Sequence, residues 1–168
     1  MNRRGNDSHC TADTAGPLPR GLAVQHPEKW SAASHLLSPS VLDRLCGKDS
    51  PNHARRVQLD QSHVIVATYY DEPIGFAAYK AGTAAVRVAH ELWVDAHAPC
   101  ELAPVVTMLL GQLELEALKS GCSKLFIIVP QTTPLRPILQ THGYAITLEG
   151  DDLLWFEKAF HQEPERVG

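Results

Sequence analysis

The sequence predicts an α/β domain built on one mixed, mostly antiparallel sheet with helices on both of its faces. Three observations favour this fold: a hairpin of β-branched and aromatic segments at 63–80, an amphipathic helix after the strand at 84–94, and an apolar run at 124–129 directly after that helix. A helix between two strands is the crossover that joins parallel neighbours, whereas short turns join antiparallel ones. We therefore expect one parallel pair, formed by the fourth and fifth strands.

Start and stop signals place the remaining elements. Residues 1–20 and 161–168 are polar and predict disordered tails around a single domain at 21–160. Pro104 and Gly121 bound the long helix at its first turn and just past its end. In chain order, the predicted elements are a strand at 21–26, helices at 28–37 and 39–46, strands at 63–70, 74–80 and 84–94, a helix at 102–120, a strand at 124–129, a helix at 134–142, and strands at 144–148 and 153–160.

Two strands carry patterns that predict their burial. In the strand at 84–94, strict alternation assigns the side chains to two faces. One face carries Val86, Val88, His90, Leu92 and Val94, and the other carries Arg87, Ala89, Glu91 and Trp93. The continuous apolar run at 124–129 predicts a central strand that is buried on both faces.

Composition argues against several classes of partner. The 168-residue chain has a net charge of −4 and no dense Lys/Arg cluster, so we expect neither nucleic acid nor an anionic membrane as a partner. No stretch reaches the ~20 apolar residues of a membrane helix, and the first residues lack the apolar core of a secretory signal. The four cysteines form no C-x-x-C pair, which favours reduced thiols and a cytoplasmic protein.

Three fragments, taken in order, resemble the GNAT N-acyltransferase family. Glu72–Phe76 (EPIGF) is similar to the x-P-V-G-F at the start of the family's third strand. Glu91–Val94 (ELWV) resembles the fourth strand, which runs into the cofactor loop, and Ile138–Tyr144 (ILQTHGY) resembles the (L/F)-Y-E-K-L-G-F helix end. The resemblance covers about residues 21–160. It implies a mixed sheet whose parallel fourth and fifth strands hold an acyl-CoA between them.

The resemblance also implies a transferase that moves an acyl group from acetyl-CoA, or another acyl-CoA, to a small-molecule or peptide amine, with no metal. Glu91 is the matching position for the carboxylate that deprotonates the amine through water. The implied cofactor contacts are Leu92, Trp93 and Val94 for the pantetheine, Leu102, Ala103, Pro104 and Val105 for the pyrophosphate, and Thr132 on the segment after the fifth strand.

The family's pyrophosphate signature, (Q/R)-x-x-G-x-(G/A), has no match here. Its key positions fall on Pro99, Leu102 and Pro104, and Glu101 adds a negative charge. An anion cradle at a helix start needs exposed N–H groups, and proline has none. This departure favours an alternative function, a GNAT-fold binding or regulatory module without acetyl-CoA binding. The family's acid position, usually a tyrosine, is Leu139. An unrelated α+β domain is a third hypothesis.

Several side chains keep two interpretations each. One interpretation of Tyr69, Tyr70 and Tyr79 is that they line an acceptor cleft. The other is that they pack in the core or at a homodimer interface. Trp93 is interpreted either as a cover over the substrate or the pantetheine arm, or as a residue that packs under a helix. His90 is interpreted as a core residue on the face opposite Glu91. His97-x-x-Cys100 has the spacing of two zinc ligands, but no second tight pair completes a structural site.

Overall fold

Seven strands and three helices make up the part of the chain that the computed structural model describes, which is residues 18–26, 37–46, 62–80, 85–95 and 97–160. The elements are β1 (Leu22–Gln25), α1 (Pro39–Cys46), β2 (His63–Tyr69), β3 (Glu72–Lys80), β4 (Val86–Val94), α2 (Leu102–Lys119), β5 (Lys124–Pro130), α3 (Arg136–Thr141), β6 (Ala145–Glu149) and β7 (Leu153–Ala159). Apart from residues 18–20 and Leu37, the predicted tails and the predicted helix at 28–37 lie outside the described residues.

One sheet holds all seven strands in the order β1-β2-β3-β4-β5-β7-β6. Every neighbouring pair is antiparallel except β4 and β5, which are parallel and joined by the 18-residue helix α2. The predicted mixed sheet with a parallel fourth and fifth strand is therefore confirmed. No helix within the described ranges combines the length and apolar character needed to cross a membrane.

The helices cover the two faces of the sheet and enclose two cores. The larger core lies under α2 and α3, and it includes the fully buried Leu109, Ile127 and Phe156. The smaller core lies under α1, where Leu42 packs with Phe76 and with the partly buried Trp93. These faces are called the α2 face and the α1 face below.

The hairpin between β2 and β3 turns earlier than the sequence predicts. We expected the turn at 71–73, but its central residues are Tyr70 and Asp71, with φ of 47° and 67°, and β3 begins at Glu72. Pro73 is part of the strand, opposite Thr68, beside a shift of register that leaves Ile74 as an extra residue. Proline is accepted next to a bulge because the ladder is already interrupted there.

The prediction that β5 is buried on both faces is wrong. Leu125, Ile127 and Val129 are buried on the α2 face, whereas Phe126 and Ile128 are only half-buried on the other face. The apolar run occurs because β5 lies between two strands in the middle of the sheet, where half-buried positions also favour apolar residues.

Candidate active site

The sheet opens between its two parallel strands. β4 and β5 pair only from Val86 with Lys124 to Ala89 with Ile127. Beyond this point β4 stays paired with β3 up to Val94, and β5 stays paired with β7 up to Pro130. The strands are therefore drawn to different neighbours, and a gap opens at their carboxyl ends. In this part of the described chain, the backbone edge of β4 that faces β5 has no strand to pair with.

A bulge in β4 lies at the start of this gap. Ala78 on β3 pairs with Glu91, but the next residue of β3, Tyr79, pairs with Ala89, so His90 is an extra residue. A bulge bends the strand that carries it and redirects its side chains. His90 is also the first residue beyond the last β4–β5 pair, so the bend and the opening of the sheet coincide.

Beyond the bulge, the predicted assignment of β4 side chains to the two faces is wrong. Ala89 and Leu92 both lie in the core of the α2 face, three positions apart, which strict alternation does not allow. Past the bulge Trp93 packs on the α1 face, and its indole Nε1–H donates a hydrogen bond to Oε2 of Glu91. Strict alternation from Ala89 would put Trp93 on the α2 face and Leu92 on the α1 face. The structure has the reverse.

His90 lies on the same face as Glu91, which contradicts the predicted separation. Its Nε2 is 3.1 Å from Oγ of Ser62, and Ser62 precedes Val64, an α1-face residue of β2, by two positions. Between the two partners lies β3, whose Ala78 is fully buried and too small to obstruct the imidazole ring. The hydrogen bond therefore spans three strands and fixes the bulge.

The imidazole of His90 is held neutral. Burial, with a smaller contribution from the positive charge of Lys80, lowers the pKa of His90 from 6.5 to about 4. Its Nδ1 is buried and has no hydrogen-bond partner among the described residues. The polar and charged groups near the ring are the Ser62 hydroxyl just before β2 and the Lys80 ammonium group on β3, and Glu91 is the next residue of β4.

Acid should destabilise the fold through His90. The unfolded chain takes up this proton near pH 6.5 and the folded chain only near pH 4, so the stabilising effect of the neutral ring is complete above pH 6.5. Stability should then decline as the pH falls from about 6.5 to about 4. The His90→Gln variant should show a shallower decline when the free energy of unfolding is measured in urea across this range.

Ser62→Ala is the matched control for that experiment. It removes the hydroxyl but leaves the ring buried, so it should lower stability by about 1 kcal/mol at every pH and keep the wild-type slope. An unchanged slope in His90→Gln would show that this histidine does not govern the acid response.

The loop and first turn of α2 follow the open end of β4, and Thr132 follows the end of β5. Because the two strands are parallel, these segments lie at the same end of the gap. Glu101 is the N-cap of α2 and makes no side-chain capping hydrogen bond. Val105 is fully buried in the core, so only its backbone can contact a ligand, whereas Ala103 and Thr132 are exposed.

Tyr144 is held in a structural contact near Leu139, the position at which the resemblance implies a catalytic tyrosine. Leu139 is fully buried, and the neighbouring Tyr144 donates its hydroxyl hydrogen bond to Glu114 at 2.8 Å. Burial and the Glu114 carboxylate raise the pKa of Tyr144 well above its usual range. Lys158 on β7 approaches the same carboxylate at 3.0 Å, so Glu114 of α2 holds Tyr144 and Lys158 together in a structural cluster.

A hydrogen bond also ties α2 to the C-cap of α3. The Thr107 hydroxyl donates to the carbonyl of Ala103 at 2.8 Å, so its oxygen accepts from Nε2 of His142 at 2.9 Å. His142 directly follows α3. This contact fixes the first turns of α2 relative to the end of α3.

Tyr79 and Cys100, two further residues considered from the sequence, do not join the candidate active site. Tyr79 is buried, stacks on His63 and lies under the guanidinium of Arg87, so it lines no acceptor cleft. Cys100 packs against the main core, where burial raises its pKa. Within the described ranges, no three His, Cys, Asp or Glu side chains converge as metal ligands.

Ser62 and the position of His90 were missed by reasoning from the sequence. The available signal was the spacing of Ala89 and Leu92, two apolar residues that are separated by two polar ones. Such a break in alternation is typical of a bulge. Ser62 precedes its strand and carries no local signal of its own.

Comparisons with known proteins give the fold. No protein-family model and no curated protein matches the chain. Among solved structures, it is similar to a GNAT family acetyltransferase from Elizabethkingia anophelis with acetyl-CoA bound, at 15% identity and a TM-score of 0.63, covering 84% of this chain and 100% of the other. The ribosomal-protein-S18-alanine N-acetyltransferase from Escherichia coli matches at 14% identity and a TM-score of 0.64, covering 88% and 99%.

An acetyltransferase from Streptococcus agalactiae matches at 13% identity and a TM-score of 0.66, with 84% of this chain and 99% of the other covered. At such identities the likeness establishes the fold. The predicted resemblance to the GNAT fold is therefore confirmed.

Proposed function

We propose that the protein is an N-acyltransferase that uses acetyl-CoA or another acyl-CoA. The observation that carries this proposal is the gap between β4 and β5, which starts at the bulged His90 and continues to the ends of both strands. An extended ligand arm can enter such a gap and hydrogen-bond to the free edge of a strand, as a peptide does when it adds to a sheet. The acetyl-CoA that is bound to the Elizabethkingia anophelis structure supports an acyl-CoA as the ligand.

The chain's own residues suit the three parts of this ligand. The backbone of Leu92–Val94 would pair with the pantetheine arm and polarise the thioester carbonyl. The N–H groups of Leu102 and Ala103, which have no acceptor within α2, would face the pyrophosphate, and the helix dipole favours an anion there. Thr132 would contribute a hydroxyl from the β5 side.

Glu91 is the proposed acceptor of the amine's proton. The amine nitrogen forms a bond to the thioester carbon while its proton passes through water to the Glu91 carboxylate. The carbon–sulfur bond then breaks, its electron pair stays on sulfur, and the thiolate takes a proton from solvent. A thiolate is a good leaving group because thiols have a pKa near ~8.5. The hydrogen bond from Trp93 holds the carboxylate on the α1 face.

The alternative is a GNAT-fold module that binds no acyl-CoA, and the start of α2 favours it. Pro99 and Pro104 lack N–H groups, and Glu101 places a negative charge at the helix terminus. Thermal denaturation with and without millimolar acetyl-CoA separates the two hypotheses. We expect stabilisation of the wild-type protein, and no shift at millimolar ligand would exclude the enzyme and leave the module.

Removing the charge at Glu101 should tighten acyl-CoA binding. The exposed carboxylate at the N-cap repels a pyrophosphate, and a charge at this position changes the free energy by about 0.3–1 kcal/mol. Glu101→Gln should therefore lower the dissociation constant of acetyl-CoA about two- to fivefold in calorimetry at low salt. An unchanged constant would mean that the pyrophosphate binds elsewhere. Asp151→Asn, on the β6–β7 turn, is the control.

The acceptor is proposed to be a small-molecule or peptide amine, in line with the alanine acetylation named for the Escherichia coli neighbour. The homodimer and the cytoplasmic location expected from the sequence stay predictions.

A further inference from the structure

A pocket of about 460 Å³ lies at the end of the sheet where β2 turns into β3. Tyr69, Tyr70 and Glu72 line it at the β2–β3 turn, and Asp95 and the residues that follow it line it from the loop after β4. None of the lining residues belongs to β5 or α2, and only Pro99 is shared with the loop considered for the pyrophosphate, so this pocket lies on the β2–β3 side of that loop and not between β4 and β5. Its volume falls in the range of small-molecule sites, ~300–1,000 Å³.

Two tyrosines form an aromatic corner in this pocket. The rings of Tyr69 and Tyr70 are nearly perpendicular, at 79°, with centroids 4.7 Å apart. Tyr69 is anchored on the main core, and 60% of Tyr70 is exposed. The Tyr70 ring also rests on the backbone of Gly21, where a Cβ atom would approach the ring to 2.7 Å. A side chain at Gly21 would displace this ring.

The local backbone does not by itself explain a tyrosine here. Tyr70 and Asp71 both have positive φ, the pattern of a tight hairpin turn that favours Asn-Gly. A tyrosine in this conformation is strained by roughly 1–2 kcal/mol. The residue thus occupies a position that suits its ring in the pocket better than it suits the turn.

The loop after β4 brings one carboxylate to the pocket and holds it in place. Asp95 is 8% exposed, its backbone N–H donates to the carbonyl of Ile74 at 2.7 Å, and its Oδ1 accepts from the backbone N–H of His97 at 2.9 Å. Glu72 brings a second carboxylate from the side of the turn. Neither lysine nor arginine is among the described residues that line the pocket.

We propose that this pocket binds a small organic cation through an ammonium group, with a quaternary ammonium as its best ligand. Aromatic faces attract such a group through their quadrupole, and nearby carboxylates add charge attraction. The apolar ring surfaces accommodate methyl groups that a metal ion does not carry. This proposal does not rest on acyl transfer, since binding is measured without acyl-CoA.

Calorimetry with choline tests the proposal on the full-length protein. We expect choline to bind with a dissociation constant on the order of 1 mM. Its neutral isostere 3,3-dimethylbutan-1-ol has the same shape without the charge, and it should bind at least about tenfold more weakly. Equal binding of the two compounds, or no heat with choline up to about 20 mM, overturns the proposal.

Two variants locate the binding site. Tyr70→Asn removes the ring but suits positive φ, so the melting temperature should stay the same or rise while choline binding weakens about tenfold or more. Glu72→Gln keeps the shape of the side chain and should lower the affinity for choline about three- to fivefold. Asp151→Asn, on the distant β6–β7 turn, should leave the affinity unchanged. Wild-type affinity in Tyr70→Asn would place the cation elsewhere and overturn the assignment.

Discussion

Glu91→Gln is expected to lower kcat for the proposed acetyl transfer about a hundredfold and to leave the affinity for acetyl-CoA unchanged. Glutamine keeps the size of the side chain and an oxygen that can accept the indole hydrogen bond of Trp93. It cannot take up a proton, so only the step that deprotonates the amine should fail. Steady-state kinetics and calorimetry on the same preparation measure the two quantities.

The outcome of Glu91→Gln separates three roles for this side chain. Equal losses of turnover and acetyl-CoA affinity would mean that Glu91 holds the cofactor. Wild-type turnover would mean that another group takes the proton, and His90 on the same face would be the next residue to replace. Glu157→Gln is a suitable control, because that carboxylate pairs with Lys124 at 2.9 Å, away from the open part of the gap.

Phe76→Ala should be among the most destabilising single changes in the sheet. Phe76 is fully buried, and its ring fills the core of the α1 face beside Leu42. Truncation of a buried phenylalanine leaves a cavity and typically lowers the free energy of unfolding by about 3–5 kcal/mol. That is a large part of the ~5–15 kcal/mol that holds a domain folded. Urea unfolding should show a lower midpoint with the same slope.

Phe126→Ala is the matched control for this substitution. Phe126 is half-buried on β5 and meets Trp155 edge to face, with ring centroids 6.2 Å apart. Its truncation should lower the free energy of unfolding by less than half as much as Phe76→Ala, because solvent can occupy the space that the ring leaves. Similar losses for the two variants would show that the complete burial of Phe76 does not increase its contribution to stability.

Local patterns predicted the elements well, and their failures share one cause. Helix α2 was expected between Pro104 in its first turn and Gly121 past its end, and these signals act within a few residues. The turn after β2 was expected at 71–73, where Pro73 is the strongest turn former. In the structure Pro73 is instead part of β3, where it pairs with Thr68 beside a bulge. A proline is tolerated at this position because the hydrogen-bond ladder is already interrupted. Cross-strand pairing therefore outweighed the local preference.

The candidate site divides in the same way. The positions of Glu91 and of Leu92–Val94 on the strand before the long helix were predictable from fragment order. The faces to which they point were not, since a one-residue bulge reverses the alternation of all that follows. Nothing near Ser62 or Asp95 in the sequence indicates their partners, His90 across β3 and Ile74 on β3.

The sequence by itself determined the order of strands and helices and the single parallel pair, because periodicity, caps and connection lengths are properties of short segments. Only the tertiary structure decided that the parallel pair opens after Ala89 and that His90 joins Glu91 on the α1 face. It alone also placed Tyr70 and Asp95 in the lining of one pocket. These features depend on which strands pair and where a register shifts, and such contacts form between residues that are far apart in the chain.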